Sequence, residues 1–374
     1  MTVTDAAHGP RRSTAGPVPA RRRRGQETNR IRLGIRPPVA SILSWRRPEI
    51  AIDFGTANVR VIRRDEGIVF DEPSLCCFSR RDGTMNLVAA GAEAHAMLDR
   101  VPAHLKVRRA LCRGVLQDIA TAKGLLRYAL SRTIGAKRLR APNAIIGVPA
   151  DATQAERSAM LTAADDAGFG SVTLIAEPLA AAIGADLPVD DPAGSMVIEC
   201  GAGTTEVAVF SLGGLCETGS VRIGGGTLDQ AIADHLHFRH KFLVGELTAE
   251  RLKLDYVARR LNPDDGQTGA IRVRGRCLKK GLPDTISVPT AELDMVVEKH
   301  IAQIVRVVRE VLGRTPPELS QDIHDRGIVL TGGGALMPLM RSMIAQATDL
   351  PVEAAEQPAN CVANGLQRML AIAS

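Results

Sequence analysis

The stretch MVIECGAGTTEVAVF, residues 196–210, joins two apolar runs through a glycine turn and sets an acid, Glu199, at its entry. Apolar runs of this length around Gly201 and Gly203 predict strand, tight turn, strand. IDFGTANVRVI, residues 52–62, repeats the device with Asp53 as the acid and Gly55 in the turn. Recurrence of one unit at this spacing predicts two halves that open alike.

Around these units strands alternate with helices. APNAIIGVPA (141–150) predicts a short buried strand, followed by a helix from about Thr153 to Ala167. SVTLIAEPLAAAIGADL (171–187) predicts a strand and then a helix that Pro178 can start, since proline fits a first helical turn. SMVIECGAGTTEVAVFSLGGLCETGSVRIGGG predicts a three-stranded meander, AIRVRGRCLKKGLPDTISVP a hairpin, and residues 290–314 a long amphipathic helix capped by Thr290. Residues 88–132 are expected to be mainly helical. The alternation predicts an α/β fold with a mostly parallel sheet.

Composition bounds the rest. The chain has 374 residues, enough for more than one domain, and 45% are apolar. Aromatics are 3%, so the core must be built from Ala, Val, Leu and Ile. No run of about 18 uncharged apolar residues suggests a membrane-spanning helix. The N-terminus lacks the apolar core of a secretion signal. Seven cysteines match no zinc or CxxC spacing and are read as reduced, small core residues of a cytosolic protein. Residues 1–48 hold eleven Arg against Asp5 and Glu27, a charge of +9, so the rest of the chain carries −3 of the total +6.

Three glycine turns present backbone N–H groups of the kind that bind phosphate. They are Gly55-Thr56-Ala57-Asn58, Gly201-Ala202-Gly203-Thr204-Thr205 and Gly332-Gly333-Gly334. Hairpin turns need glycine in any case. Asp53 and Glu199 can hold Mg²⁺ through water beside such phosphates, because Mg²⁺ keeps several waters and takes few protein ligands. Each acid can equally make an ordinary turn hydrogen bond.

IDFGTANVRV, GIVFDEPS, VPADATQAERSAMLTAADDAG, LIAEPLAAAIGADLPV, GSMVIECGAGTTEVAVFSLGG, SVRIGGG, GELTAERLK, TPPELSQDIHDRGIVLTGGGAL and LPVEAAEQPANCVANG occur in the order seen in the MreB family, and the chain resembles these bacterial actins over about residues 49–370. The resemblance implies an actin-like fold, with two ribonuclease-H-type domains flanking a cleft for ATP and Mg²⁺. It places domain I at 49–190, completed by 345–374, and domain II at 191–344. It also implies filaments on the inner face of the cell membrane that guide cell-wall synthesis. Asp53, Gly55, Thr56 and Asn58 fall in the family's first phosphate loop, and Gly201, Gly203, Thr204 and Thr205 in its second. Gly332 to Gly334 resemble the nucleoside-side loop, and Glu250 and Lys253 the pair beside ribose and base. Glu156 resembles the glutamate linked to water activation and polymerisation. Thr153-x-x-Glu156 is also a capping box, and a cap would fix the side chain near the cleft.

This chain departs from the family where Asp-x-Gly-Gly-Gly becomes Glu199-Cys200-Gly201-Ala202-Gly203. The acid is one methylene longer and one glycine has gained a Cβ. IGGD becomes IGGG with Gly226, ERIKxEIG becomes ERLKLDYV with Asp255, and DGVIADF becomes RGVLQDI at 113–119. These changes imply a divergent paralogue in which binding is better preserved than hydrolysis.

The tail, residues 1–48, is expected to be disordered through residue 30, with an amphipathic membrane segment at 31–47 that carries Val39, Ile42, Leu43 and Trp45. Rival readings are a solvated tail, a nonspecific nucleic-acid contact, which lacks an aromatic platform, and a docking segment for a protein. The resemblance favours the membrane. The function expected is a self-assembling, ATP-binding scaffold, cytoplasmic and peripheral on the membrane, with no specific nucleic acid. The alternatives are a non-polymerising ATP-binding scaffold and a small-molecule kinase of the same fold.

Overall fold

The computed structural model describes residues 47–81, 84–134, 140–261 and 269–372. The expectations for residues 1–46, including nearly all of the 31–47 segment, lie outside the described residues. Two five-stranded sheets have the same topology. In the first, Ile50–Phe54 pairs antiparallel with Asn58–Arg63, which pairs antiparallel with Gly67–Pro73. On its other side Ile50–Phe54 pairs parallel with Ala144–Val148, and that strand with Val172–Ala176. In the second, Ser195–Cys200 has the same position: Thr205–Ser211 and Gly214–Val221 form the meander, and Ile328–Thr331 and Val352–Ala354 add in parallel. The two strand-turn-strand units therefore occupy equivalent places.

All five residues of Ile50–Phe54 and all six of Ser195–Cys200 are buried, because both faces of each sheet are covered. Ile50, Ile52 and Phe54 face a core shared with Leu125, Leu126 and Met160 of helices Ile119–Thr133 and Gln154–Ala167. Met196, Ile198 and Cys200 face a core with Ile232, Leu252 and Val297 of helices Gly225–His240, Glu246–Leu261 and Thr290–Arg314. Ala51 and Val197 point the opposite way, into one common core. Helices Glu177–Gly184 and Cys361–Ile372 fill that core between the sheets.

Several expectations are corrected. Residues 88–132 contain strands at Leu105–Arg109, Leu111–Cys112 and Val115–Leu116, with helix only at Ala92–Ala96 and Ile119–Thr133. Arg113 (φ 50°) and Gly114 (φ 72°) turn the chain between the two short strands, the pair of positive φ values that a tight hairpin requires. Thr290 does not cap its helix: Pro289 holds the cap position, and the Thr290 hydroxyl donates to Gly269 O at 3.0 Å. The expected boundary at 344/345 falls inside helix Pro338–Thr348, and the following strand Val352–Ala354 extends the second sheet. The chain returns to the first sheet with the turn Pro358–Asn360, whose Ala359 O accepts from Arg60, and the last helix Cys361–Ile372. Cys76, Cys77, Cys200 and Cys361 are buried free thiols, whereas Cys112 and Cys216 are exposed.

His300 lies in the buried stripe of helix Thr290–Arg314, with Val297, Ile301 and Ile304. Burial, reinforced by the charge of Lys253, pushes its imidazole down to about 4. The unfolded chain therefore takes up a proton below about pH 6.5 that the folded chain refuses until about pH 4. This contribution is fully present above pH 6.5 and is lost as pH falls, by about 2 kcal/mol at pH 5. His300→Leu should flatten that part of the dependence of the urea midpoint between pH 7 and 5. An equal fall in both proteins would contradict it.

Candidate functional site

Both equivalent turns lie at the edge of one cavity of about 240 Å³ between the halves. Asp53, Gly55, Thr56, Ala57 and Asn58 line it from the first half, and Glu199, Gly201, Ala202, Gly203, Thr204, Gly332 and Gly333 from the second. The turns approach closely. A Cβ built on Gly203 would lie 2.3 Å from Thr56 Oγ1 and 2.6 Å from Gly114 N. Gly114 N itself donates to Thr56 Oγ1 at 3.3 Å. Gly332, at φ 77°, folds the third loop over the end of strand Ser195–Cys200, where a Cβ would meet Cys200 O at 2.3 Å.

Asp53, Glu177 and Glu199 make the cavity wall acidic, and Glu206 stands beside them without lining it. Carboxylate oxygens of Glu177, Glu199 and Glu206 lie within 4.8 Å of one another. Burial drives the Glu199 carboxyl well above the usual range, and the charges of Glu206 and Asp53 add to it. Glu177, at the start of its helix, is raised in the same way by burial and by Glu206, Glu199 and Asp53. Glu206 is pushed up to about 7 by burial, against the opposing hydrogen bond from Ala150 N–H at 2.8 Å. Glu199 Oε2 and Glu206 Oε2 have no hydrogen-bond partner among the described residues. Buried, unpartnered carboxylate oxygens are costly. They suit a cation, and the N–H groups of facing glycine turns suit the anion such a cation would carry.

Asp53 has a partner already: Arg60 Nη1 lies 3.2 Å from its Oδ2. Burial raises the Asp53 carboxyl, and Arg60 opposes the shift. Arg60 also donates to Ala359 O at 2.9 Å and to Asp71 at 3.0 Å, so it ties the first turn to the C-terminal region. Asn58 Nδ2 donates to the same Asp71 at 2.6 Å.

Other expected site residues stand behind or beside the cavity. Thr205 is buried and its hydroxyl donates to Ile223 O at 2.9 Å. Gly334 packs on Cys200, where a Cβ would lie 2.7 Å from the Cys200 Cβ. Lys253 Nζ binds Asp229 at 2.9 Å and Gly225 O at 3.3 Å, while Glu250 sits half-buried on the same helix. These two residues do not line the cavity. Glu156 lines an adjoining, smaller cavity that shares Phe54, Leu111, Gly114, Pro149 and Glu177 with the first. Its capping box is formed: Thr153 N donates to Oε2 at 2.7 Å and Glu156 N to Thr153 Oγ1 at 3.2 Å. The bond from Thr153 N–H, chiefly, holds its carboxyl below the usual range.

Glu177, Glu206 and Arg60 also belong to the site, although no motif marks them in the sequence. The only signals available were an acid at a strand-to-helix junction in AEPL and an acid beside two threonines in GTTEV. Neither shows that the acids converge.

A family profile described as MreB/Mbl protein matches residues 47–374. The chain is 40% identical over 320 residues to the cell shape-determining protein MreB of Escherichia coli K12, covering 85% of this chain and 91% of that one. It is 37% identical over 322 residues to the cell shape-determining protein Mbl of Bacillus subtilis 168, covering 86% and 95%. Among solved structures, MreB5 of Spiroplasma citri bound to ADP superposes with a TM-score of 0.78 at 29% identity, covering 85% of this chain and 94% of that one. The fold is therefore the actin-like one. With equivalent paired sheets, facing glycine turns and these relatives along nearly all of the described residues, the chain belongs to the MreB/Mbl family.

Proposed function

We propose that the chain is an ATP-binding, filament-forming member of its family that scaffolds cell-wall synthesis and cell shape at the inner membrane surface. The observation that carries this is the cavity itself, where two glycine turns face each other beside the buried Glu199, one carboxylate oxygen of which lacks a partner among the described residues. The similar MreB5 structure holds ADP, which supports a nucleotide here. Turns 55–58 and 201–205 would bind phosphates through backbone N–H groups, and 332–334 the nucleoside. Lys253 and Glu250 would act beside the ribose from the layer behind, through Gly225. Asp53, Glu177, Glu199 and Glu206 would hold Mg²⁺ largely through water, where the ion supplies neutralising charge for the phosphates. Glu156, ionised and fixed by its cap, would orient water.

Calorimetry with ADP and Mg-ATP tests the cleft, and absence of binding at millimolar nucleotide would overturn it. Sedimentation with and without Mg-ATP separates a filament former from a non-polymerising scaffold, and phosphate transfer to small molecules would reveal a kinase. Among the described residues no helix is long and apolar enough to cross a membrane. We infer attachment through residues 31–47 from sequence alone, because residues 1–48 carry a charge of +9 and Val39, Ile42, Leu43 and Trp45 supply apolar side chains. A chain starting at Glu49 should pellet with anionic vesicles less than the full chain does, and equal pelleting would move the contact onto the folded body.

Hydrolysis is expected to be slow, because Glu199 projects one methylene further than the family's Asp and Ala202 adds a Cβ at the cavity wall. Glu199→Asp with Ala202→Gly should raise phosphate release by ~10-fold or more, since about 1 Å of misplacement costs ~100-fold in rate. Unchanged or lower release in the double variant would refute this account.

A further inference from the structure

Away from the cleft, His235, His240 and Glu292 converge. His235 Nε2 lies 2.5 Å and His240 Nε2 2.7 Å from the same oxygen, Glu292 Oε1. Their ligand atoms all lie within 4.8 Å of one another. His235 sits in helix Gly225–His240, which His240 ends, and Glu292 lies in the first turn of helix Thr290–Arg314. We propose that these three side chains form a binding site for a divalent transition metal of the zinc class, clamping the two helices together.

Four features support the assignment. Two imidazoles and one carboxylate match a three-ligand zinc set that leaves a position for water. Nitrogen donors disfavour Mg²⁺ and Ca²⁺, which take oxygen. The three side chains are 16–25% exposed, enough for water to reach the remaining position without leaving the site on the open surface. The framework is rigid, because Ile232 and Leu236 of one helix pack in the same core as Leu293 and Val297 of the other. Ligand atoms about 2.0–2.2 Å from zinc sit roughly 3.3 Å apart in a tetrahedron, so the present contacts of 2.5 and 2.7 Å need to open by about 0.6–0.8 Å. Each imidazole would bind through Nε2 as the Nδ1–H tautomer, with any displaced proton passing to solvent.

The site would act at a distance on the second glycine turn. The N-terminus of helix Gly225–His240 is bonded to that turn, with Gly225 N donating to Gly201 O at 3.1 Å and Gly226 N to Ala202 O at 2.9 Å. A metal at the far end of the helix would hold it in place against helix Thr290–Arg314.

The test is titration of the full, metal-free chain with Co²⁺, followed by absorption and thermal melting. One equivalent should bind with the visible d–d bands of a four-coordinate nitrogen and oxygen site, without thiolate charge transfer, and Zn²⁺ should displace it and raise the melting temperature. Excess Mg²⁺ with ADP should not compete. Near-isosteric Glu292→Gln should weaken Co²⁺ by at least ~10-fold, since even outer-shell changes cost that much. His235→Gln with His240→Gln should abolish it, and Glu199→Gln should leave it unchanged. No Co²⁺ uptake by the unaltered chain would overturn the proposal and leave a pair of histidine–carboxylate hydrogen bonds. Uptake that survives the double histidine variant, or is lost with Glu199→Gln, would overturn it in favour of another site.

Discussion

Gly365→Ala is expected to destabilise the protein by more than ~3 kcal/mol, toward the upper end of overpacking costs. A Cβ built on Gly365 would lie 1.8 Å from Ala180 O, and one on Gly184 would lie 1.8 Å from Cys361 O. Helices Glu177–Gly184 and Cys361–Ile372 thus touch backbone to backbone, and no side chain can rotate away to relieve the clash. They also fill the core common to both sheets, so separating them disturbs Ala51 and Ile145 on one side and Val197 and Ala208 on the other. Gly313 provides the contrast. It lies in helix Thr290–Arg314 with nothing within 4 Å of a built Cβ, so Gly313→Ala should stabilise by about 0.5–1 kcal/mol through helix propensity. Urea midpoints for the two variants should move in opposite directions. A Gly365→Ala protein as stable as the parent would show that the helix pair is not the constraint described.

Gly203→Ala should weaken ADP by at least ~100-fold, about 2.7 kcal/mol. The new methyl would press on Thr56 Oγ1, which can rotate, and on Gly114 N, which cannot. The two turns would have to part, and N–H groups placed for one ligand would no longer converge on it. Neighbouring Ala202 already carries a Cβ at the cavity wall, so Ala202→Gly alone should change ADP affinity by less than ~3-fold. Calorimetry on the two variants, with melting curves to confirm that each is folded, checks the pair. A Gly203→Ala protein that binds ADP within ~3-fold of the parent would mean that the approach of the turns does not shape the site.

What could be read from the sequence was local. Strand-turn-strand units at 52–62 and 196–210 are encoded by apolar runs and glycines within a dozen residues, and the capping box at Thr153 and Glu156 spans only four. Both formed as expected. Residues 105–116 form strands in place of the expected helix. Short strands of mixed polarity lack a period strong enough to outweigh the helical residues around them. Their strand character depends on pairing with Leu75–Arg81 and on the Arg113-Gly114 turn.

The sequence by itself therefore determined the strand units, the glycine turns and the entry acids, because backbone sterics and apolar periodicity act over a few residues. Tertiary structure alone decided which distant groups share space. Glu177, Glu199 and Glu206 come from a helix start and two strands, and Arg60 reaches Asp53, Asp71 and Ala359 from a third strand. Glu292 meets histidines 57 and 52 residues away. Gly203 is marked in the sequence as part of a phosphate turn, but its close approach to Thr56 and Gly114, like that of Gly365 to Ala180, appears only when a facing backbone removes the room for a Cβ. Burial and like-charge repulsion depend on those meetings, so the raised carboxyl affinities for protons in the cleft, like the two close glycine contacts, follow from tertiary packing: Gly203 meets the opposite half, and Gly365 meets a neighbouring helix.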